Sequence, residues 1–256
     1  MDIHVPKNHP RYQSISIREK LVEMVDAKVV APAGLIAHGR GEAFDYLCGE
    51  DTPQPALAAV EAAAAGLLAA EHPVLSINGN VAALCPRELV ELSKISGAPL
   101  EVNLFYRTLE REKAIAEVLY QAGADEVLGV GDDAAGTIPE VGSERRRVDP
   151  RGIGGADVVF VPLEDGDRTE GLVAMGKTVI TVDLNPLSRT SRKADISIVD
   201  NIVRVVPLLI AAVQRLTEKE PRELKRIVED FDNRRNLKLS LEFIADRLHS
   251  FSFEGE

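Results

Sequence analysis

The sequence predicts an α/β protein with a mostly parallel sheet, helices on both faces of that sheet, and a helical carboxy-terminal segment. Strand-like and helix-like stretches alternate between residues 73 and 130 and again between Ala156 and Asn201, and the pattern after Pro207 is helical and amphipathic. Continuous Val- and Ile-rich runs are typical of strands buried on both faces. Crossovers of this length are right-handed and make successive strands parallel.

A length of 256 residues suits one large α/β domain or two small ones, and we expect residues 1–256 to form a single domain. Within it, we expect a helical amino-terminal part over residues 1–70. The parallel-sheet core follows over residues 71–206, and residues 207–256 form the carboxy-terminal helices.

The balance of charge argues against a nucleic-acid-binding surface, because 41 acidic residues outnumber 30 basic ones and the net charge is -11. No apolar run approaches the ~18 residues of a membrane helix, and the first residues lack a signal-peptide core, so we expect a soluble, cytoplasmic protein with no membrane partner. Cys48 and Cys85 are not in metal-ligand spacing and are expected to be free thiols. Because the net negative charge of the whole chain repels anions, an anionic ligand would need a local cluster of arginines. The candidates are Arg18, Arg40, Arg107, Arg145–Arg147, Arg168, Arg189 and Arg192.

The amino-terminal part contains two helix signals and a glycine-rich segment. Ser16 and Glu19 match a capping box, which predicts a helix beginning at Ser16. The segment His38–Gly41 (HGRG) is interpreted as a loop ahead of a helix, a geometry that suits an anion, with a plain tight turn as the alternative. The alanine-rich stretch Ala56–Ala70 predicts a close-packed helix.

The first half of the sheet is predicted from the strands VLSIN, PLEVNLF and EVLGV. Helices are expected from Pro86 and from Thr108, and GNVAALC is expected to be a loop. Polar residues follow these strands at the carboxyl edge of the sheet, where parallel sheets bind ligands, although a simple turn is the alternative. The ligand candidates at this edge are Asn78, Asn80 and Arg107.

Residues 129–155 contain a misleading motif and a long excursion. Gly129–Ala134 imitates a dinucleotide fingerprint, but Gly136 and Pro139 interrupt the helix that such a site requires, so a nicotinamide site is not expected. The following residues, 132–155, are interpreted as a charged excursion. We expect it to act as a lid or as an interface arm, with a solvated run of charges as the alternative.

The second half of the sheet is predicted from the runs Val158–Leu163, Thr178–Leu184 and Ile196–Val199. The loops LEDGDRTE and DLNPLSRTSRKAD hold acids next to arginines. That composition suits a phosphate-bearing ligand and its metal ion, with ordinary solvated loops as the alternative. Pro207 is expected in the first turn of a new helix, so no helix is expected to run through it from Asn201.

Six motifs, taken in order, resemble the archaeal 4-phosphopantoate–beta-alanine ligases, also called phosphopantothenate synthetases. They span about Val5 to Pro207 and read KNHPRYQSISIREKLV, GLIAHGRGEAFDYL, SINGNVAAL, NLFYRT, VPLEDGDRTEGLV and VDLNPLSRTSRKADISIVDNIVR. The resemblance implies a Rossmann-like homodimer that joins 4-phosphopantoate to beta-alanine in coenzyme A biosynthesis. It also implies ATP as a substrate, Mg²⁺ as a cofactor, and release of AMP and diphosphate.

The resemblance implies site residues as well. The predicted ATP contacts are Arg18, Arg40, Asp183, Leu184, Asn185, Arg189, Thr190, Asn201 and Ile202. The predicted contacts to 4-phosphopantoate are His38, Asn78, Asn80 and Arg107. Glu164 or Asp165 is predicted to bind Mg²⁺, and the candidates for the general base are Glu42, Asp165 and Asp167.

Cationic side chains from separate stretches, Arg18, Arg40 and Arg189, are expected to converge on one cavity at the edge of the sheet. Two other functions stay open at this point. A nicotinamide-dependent oxidoreductase and a nucleotide sensor without turnover are both compatible with a sheet of this kind.

Overall fold

A computed structural model describes residues 6–252 and centres on a parallel sheet of six strands. In chain order the strands are β1 (Pro73–Ile77), β2 (Leu100–Val102), β3 (Val127–Leu128), β4 (Gly136–Thr137), β5 (Arg147–Val148), β6 (Val158–Phe160), β7 (Thr178–Val182) and β8 (Ile196–Ile198). Strands β4 and β5 form a separate antiparallel pair, and the other six lie in the order β3-β2-β1-β6-β7-β8. By rank within the sheet this is the Rossmann order, so the predicted fold class is confirmed.

Helices cover both faces of the sheet and make up the carboxy-terminal segment. They are α1 (Tyr12–Asp26), α2 (Pro32–Cys48), α3 (Gln54–Ala69), α4 (Gly79–Leu84), α5 (Pro86–Ser96), α6 (Leu109–Gln121), α7 (Gly166–Ala174), α8 (Arg189–Lys193), α9 (Ile202–Leu216), α10 (Pro221–Glu229) and α11 (Asn233–Ser250). As predicted, α5 begins at Pro86, and Thr108 caps α6 by accepting a hydrogen bond from the amide of Arg111. Among the residues described, no helix is long and apolar enough to cross a membrane.

Alternate residues of the central strands face two separate apolar cores. In β6, Val158 and Phe160 pack with α3, α5 and α9, whereas Val159 packs on the opposite face with Leu172 of α7. The second core also contains apolar side chains from residues 132–155, such as Ile138 and Ile153, both fully buried. The excursion is therefore not a merely solvated run of charges, since its apolar side chains pack against the sheet.

Two local predictions in the first half of the chain are wrong. Helix α1 begins at Tyr12, so Ser16 lies inside it and donates a hydrogen bond to the carbonyl of Tyr12 (2.7 Å) instead of capping a new helix. The stretch GNVAALC is helix α4 and not a loop, because the side chain of Asn78 caps it by accepting from the amide of Val81 (3.1 Å).

The predicted glycine-rich loop at His38–Gly41 is also wrong, because α2 runs without a break from Pro32 to Cys48. Two of its three glycines, Gly34 and Gly41, serve close packing, whereas a Cβ atom at Gly39 would meet nothing within 4 Å. A Cβ atom at Gly34 would collide with Oδ1 of Asn80, and one at Gly41 would lie 3.2 Å from Cδ1 of Leu184. Arg40 therefore projects from the interior of a helix and does not precede one.

Helix α9 runs through Pro207, contrary to the prediction that a new helix starts there. Proline has no N–H to donate to the carbonyl of Val203, and it disfavours helix interiors by about 3 kcal/mol relative to alanine. Pro207 is exposed, however, while Val206 and Leu209 of the same helix are fully buried. Burial of each such side chain contributes ~1.5–3 kcal/mol, so tertiary packing outweighs the local preference.

We predict that Pro207→Ala stabilises the protein by about 1–2 kcal/mol, because alanine restores a helix hydrogen bond at an exposed site. Part of the gain is offset because an unfolded chain without the proline has more conformational freedom. Urea unfolding followed by circular dichroism measures the change. Gln214→Ala, at another exposed position of α9, is the matched control and should change the free energy of unfolding by less than about 0.5 kcal/mol. A destabilised Pro207→Ala variant would mean that the packing of α9 requires the proline.

Candidate active site

A cavity of about 540 Å³ opens at the carboxyl edge of the sheet, where β1 and β6 lie side by side. The chain leaves β1 towards β2 and leaves β6 towards β7, on opposite sides, which creates the crevice where open α/β sheets bind ligands. Its volume is that of a small-molecule site. Leu163, in its wall, has a left-handed backbone (φ 54°), a conformation that is uncommon for residues other than glycine.

The cavity brings together predicted residues from five separate stretches of the chain. Helix α2 contributes two of them, the end of β1 two, and the loops after β6, β7 and β8 the others. Those that line the cavity are His38, Arg40, Asn78, Asn80, Glu164, Asp165, Asp183, Leu184, Asn185, Thr190, Asn201 and Ile202.

Other predicted residues are not in the lining of this cavity. Arg18 is exposed on α1, and Arg189 is exposed on α8, where it pairs with Glu170. Glu42 lies beside a smaller recess, and Asp167 is half-buried in the first turn of α7. Of the three arginines expected to converge, the structure brings Arg40 alone to the cavity wall.

Arg107 is held by structural contacts. Its side chain is 2% exposed, pairs with Glu112, and donates to the carbonyl oxygens of Arg147 (2.9 Å) and Gly129 (2.6 Å). These bonds fasten the excursion to the start of α6. With its guanidinium occupied in this way, Arg107 is not among the residues that line the cavity.

The ends of β7 and β8 form one side of the cavity through an ordered set of polar contacts. The carboxylate of Asp183 accepts from the amide of Asn185 (2.9 Å) and from the hydroxyl of Ser188 (2.5 Å). Burial raises the pKa of Asp183, and these hydrogen bonds oppose that rise. Asn201 donates to the carboxylate of Asp45 (3.1 Å) and caps α9, so its orientation is fixed.

The loop after β6 carries two acids in different environments. Glu164 is 1% exposed in its side chain: one of its oxygens accepts from Arg145 (2.7 Å) and from Arg168, and the other accepts from the amide of Asp165 (2.7 Å). The side chain of Asp165 is 46% exposed and lies 3.1 Å from Nε of Arg145. Burial raises the pKa of Asp165, and Arg145 opposes that rise. Asp165 is thus the more accessible of the two acids.

No cluster of three or more His, Cys, Asp or Glu side chains suited to a metal ion occurs in the described part of the chain. The carboxylate of Asp165 suits Mg²⁺, which proteins usually hold through one or two carboxylates together with substrate phosphates. Glu164 does not fit that role, because both of its oxygens already accept hydrogen bonds.

Sequence reasoning missed one cation of the cavity and undervalued another. Arg111 lines the cavity but was not a candidate, and Arg145 was a candidate for the arginine cluster without an assigned role in the site. A signal for Arg111 exists in the sequence. It is the third residue of the helix that follows β2 and Thr108, so it lies at the carboxyl edge of the sheet.

Comparisons with known proteins agree with the predicted resemblance. The family model described as phosphopantothenate/pantothenate synthetase matches residues 55–247. The chain is 54% identical over 254 residues to the "4-phosphopantoate–beta-alanine ligase" of Thermococcus kodakarensis, covering 99% of this chain and 97% of the relative. It is 55% identical to the protein of that name from Thermococcus onnurineus, with the same coverage. The relative of that name in Methanosarcina mazei is 50% identical over 250 residues, covering 98% of each chain. The chain therefore belongs to the phosphopantothenate/pantothenate synthetase family.

Proposed function

We propose that this protein is an ATP-dependent ligase that condenses 4-phosphopantoate with beta-alanine. The products are 4′-phosphopantothenate, AMP and diphosphate, and the reaction serves coenzyme A biosynthesis. The observation that carries the proposal is the cavity at the crossover between β1 and β6, where five of the six motifs meet. Relatives with this printed name match the chain over nearly its whole length, which supports the same reaction here.

The chemistry requires an activated carboxylate. A carboxylate oxygen of 4-phosphopantoate attacks the α-phosphorus of ATP, the bond to the β-phosphate breaks, and diphosphate leaves. The amine of beta-alanine then attacks the acyl carbon of the adenylate, forms the amide bond, loses a proton and expels AMP. Such steps depend on fixed cations and hydrogen-bond donors around the phosphates and need no protein nucleophile.

We place the nucleotide on the side of the cavity formed by the ends of β7 and β8. Asp183 and Asn185 present oxygens and an amide there, which suits the hydroxyls of a ribose or the edge of a base. Arg40 of α2 lies on the wall of the same cavity and is proposed to meet the ATP phosphates. Arg18 and Arg189 stay predictions from the resemblance.

Mg²⁺ belongs to the proposal as a partner of ATP. Asp165 would hold it together with the phosphates, and the ion would neutralise phosphate charge during adenylate formation. Asp165 is also the one of the three predicted base candidates that lines the cavity, and we assign it to the ion rather than to proton transfer.

A homodimer in the cytoplasm completes the proposal. Leu239, Phe243 and Leu248 of α11 expose between 37% and 53% of their surface, and such apolar side chains favour contact with a second subunit. The free, buried thiols of Cys48 and Cys85 suit a reducing compartment.

Two other functions receive less support. Gly131–Asp133, inside the segment that imitates a dinucleotide fingerprint, is a short 3₁₀ turn, so it offers no α-helix amino terminus to a pyrophosphate. A nucleotide sensor would bind ATP without releasing AMP, and the assay below separates that case from the ligase.

We predict that the purified protein, given ATP, Mg²⁺, 4-phosphopantoate and beta-alanine, forms AMP and 4′-phosphopantothenate in equal amounts. Omitting either organic substrate should abolish formation of 4′-phosphopantothenate, because each supplies half of the new amide. Liquid chromatography with mass spectrometry measures both products. ATP hydrolysis that ignores both organic substrates would reject the proposal.

Replacing Arg40 with glutamine is expected to lower kcat/KM for ATP about 10- to 100-fold. A charge-assisted hydrogen bond to phosphate contributes about 1.5–3 kcal/mol, and Gln cannot supply it. The matched control is Arg87→Gln, which removes the same charge from an exposed position of α5 and should leave kcat/KM within about twofold. An unchanged value for Arg40→Gln would remove this residue from the phosphate site.

His38 is expected to be uncharged at pH 7. Burial lowers its pKa, and the nearby carboxylates of Glu42 and Asp45 only partly oppose that effect. Titration of the His38 ring by NMR, assigned by comparison with His38→Gln, should give a pKa below about 6.5, the ordinary value for histidine. A higher value would mean that the carboxylates outweigh burial and that a charged ring faces the cavity.

A further inference from the structure

Helix α2, which brings Arg40 to the cavity wall, buries little of its own surface within the chain. Of its 17 residues, Asp45 and Cys48 are the buried ones. Ile36 and Tyr46 of the same helix are 70% and 43% exposed. A surface helix is normally held in place by an apolar stripe that faces the core. The position of α2 on this chain therefore depends largely on its polar contacts.

Asp45 joins α2 to the turn between β8 and α9 through a buried group of charges. Its carboxylate pairs with Arg204 of α9 and accepts from the side-chain amide of Asn201 (3.1 Å). Nε of Arg204 also donates to the carboxylate of Asp200 (2.8 Å), which accepts from the hydroxyl of Thr52 (2.6 Å) as well. The side chains of Asp45, Arg204 and Asp200 are 10%, 14% and 0% exposed. One guanidinium thus bridges two carboxylates from distant segments of the chain.

The charges of this group depend on one another. Burial acts to lower the pKa of Arg204, but hydrogen bonds to Asp45 and Asp200 raise that pKa above its ordinary value. Two carboxylates buried close together are unfavourable unless a cation lies between them. Arginine suits this role because its planar fork donates in several directions at once. Removing Arg204 would leave both carboxylates without this cation.

The same group borders two residues of the cavity. His38 and Asn201 line the cavity, and they also line a smaller recess together with Asp45 and Arg204. Asn201 is oriented from two directions, because its side-chain oxygen accepts from the amide of Val203 (3.3 Å) while its nitrogen donates to Asp45. Asp45 and Arg204 are not in the lining of the cavity itself. A change at either residue therefore reaches the cavity through its neighbours.

We propose that Asp45 and Arg204 are positioning residues, which hold α2 against the turn between β8 and α9 and thereby set the affinity of the cavity for ATP. The inference rests on the proposed function, in which Arg40 meets the ATP phosphates and Asn201 contacts the nucleotide. The ion pair keeps the elements that carry these two side chains at a fixed separation. Side chains that are fixed before a ligand arrives lose less conformational freedom on binding, so breaking the pair weakens ATP binding.

The deciding experiment measures ATP binding to Asp45→Asn without the organic substrates. Asparagine has nearly the shape of aspartate, but it is uncharged, and its amide nitrogen would face one of the donors that the carboxylate now accepts from. Isothermal titration calorimetry with ATP and Mg²⁺ should give a Kd about 5- to 50-fold above the wild-type value. In the ligase assay at saturating ATP, KM for beta-alanine should stay within about threefold.

Hydrogen–deuterium exchange of the ligand-free protein tests directly whether Asp45 holds the helix. Peptides from α2 should exchange about 5- to 50-fold faster in Asp45→Asn than in the wild-type protein, because local opening becomes easier. Peptides from α6 are the internal reference and should exchange at the wild-type rate.

Two variants of Arg204 extend the test. Arg204→Lys keeps the charge but loses the fork, so its Kd for ATP should lie between those of the wild-type protein and Arg204→Gln. Arg204→Gln should lose the most affinity, because both carboxylates lose their cation. Thermal unfolding verifies that each variant is folded, and Asp45→Asn decides the proposal if Arg204→Gln does not fold.

Two controls on α9 separate positioning from stability. Arg215→Gln breaks an exposed ion pair with Glu61 and should leave Kd for ATP within about twofold of the wild-type value. Leu216→Ala removes a buried side chain from the last turn of the helix. It should lower the melting temperature and yet leave Kd for ATP within about twofold, because Leu216 lies about 20 Å along the helix from Ile202.

Three results would overturn the proposal. They are a folded Asp45→Asn protein with a Kd for ATP within about twofold of wild type, unchanged exchange in α2, and an equal loss of ATP affinity in Leu216→Ala. The proposed function is tested separately, by formation of 4′-phosphopantothenate. A wild-type protein that binds ATP but forms no product would reject the ligase, whereas the role of Asp45 would still be measured by Kd and by exchange.

Discussion

The site depends on the hydrogen bonds that join the end of β1 to the end of β6. The side-chain amide of Asn78, just after β1, donates to the carbonyl oxygens of Pro162 (2.9 Å) and Leu163 (3.3 Å), just after β6. The same side chain caps α4 with its oxygen, so one asparagine fixes both the start of a helix and the separation of two strand ends. Beyond this contact the chain leaves β1 and β6 in opposite directions, which creates a crevice, and the cavity occupies it.

A buried ionic layer supports one wall of that crevice. Glu101, in β2, accepts from the amides of Asp149 (3.0 Å) and Ile153 (2.5 Å) and fastens the excursion to the sheet, while burial raises its pKa to about 7. Arg168 connects the same layer to the cavity by donating to Ser76 and to Glu164. Buried charges are costly unless they are paired, so this layer holds its side chains in one arrangement. Pre-organised charge of this kind stabilises charge that develops during a reaction more than flexible surface charge does.

Two features of the fold hold the side chains of the site in place before a ligand binds. Helix α2 presents Arg40 and His38 on a rigid element, since its glycines allow it to approach Leu184 and Asn80 closely. The strand-end loops present short side chains whose own hydrogen bonds fix them before any ligand arrives, as with the contacts of Asp183. A cavity prepared in this way loses little conformational freedom on binding, which leaves more of the interaction energy for the reaction.

The sequence by itself determined the parallel sheet, the helices beginning at Pro86 and after Thr108, and the family. Each depends on a pattern within a few residues: unbroken apolar runs, a proline at a helix start, or a continuous motif. Tertiary structure alone decided that Gly34 and Gly41 of α2 serve packing, that α9 continues through Pro207, and that Arg111 and not Arg107 lines the cavity. The physical reason is that these outcomes depend on contacts between distant segments. Burial of one face of α9 outweighs the helix-breaking effect of Pro207. Glu112 pairs with Arg107, so Arg111 is the arginine that remains available at the cavity.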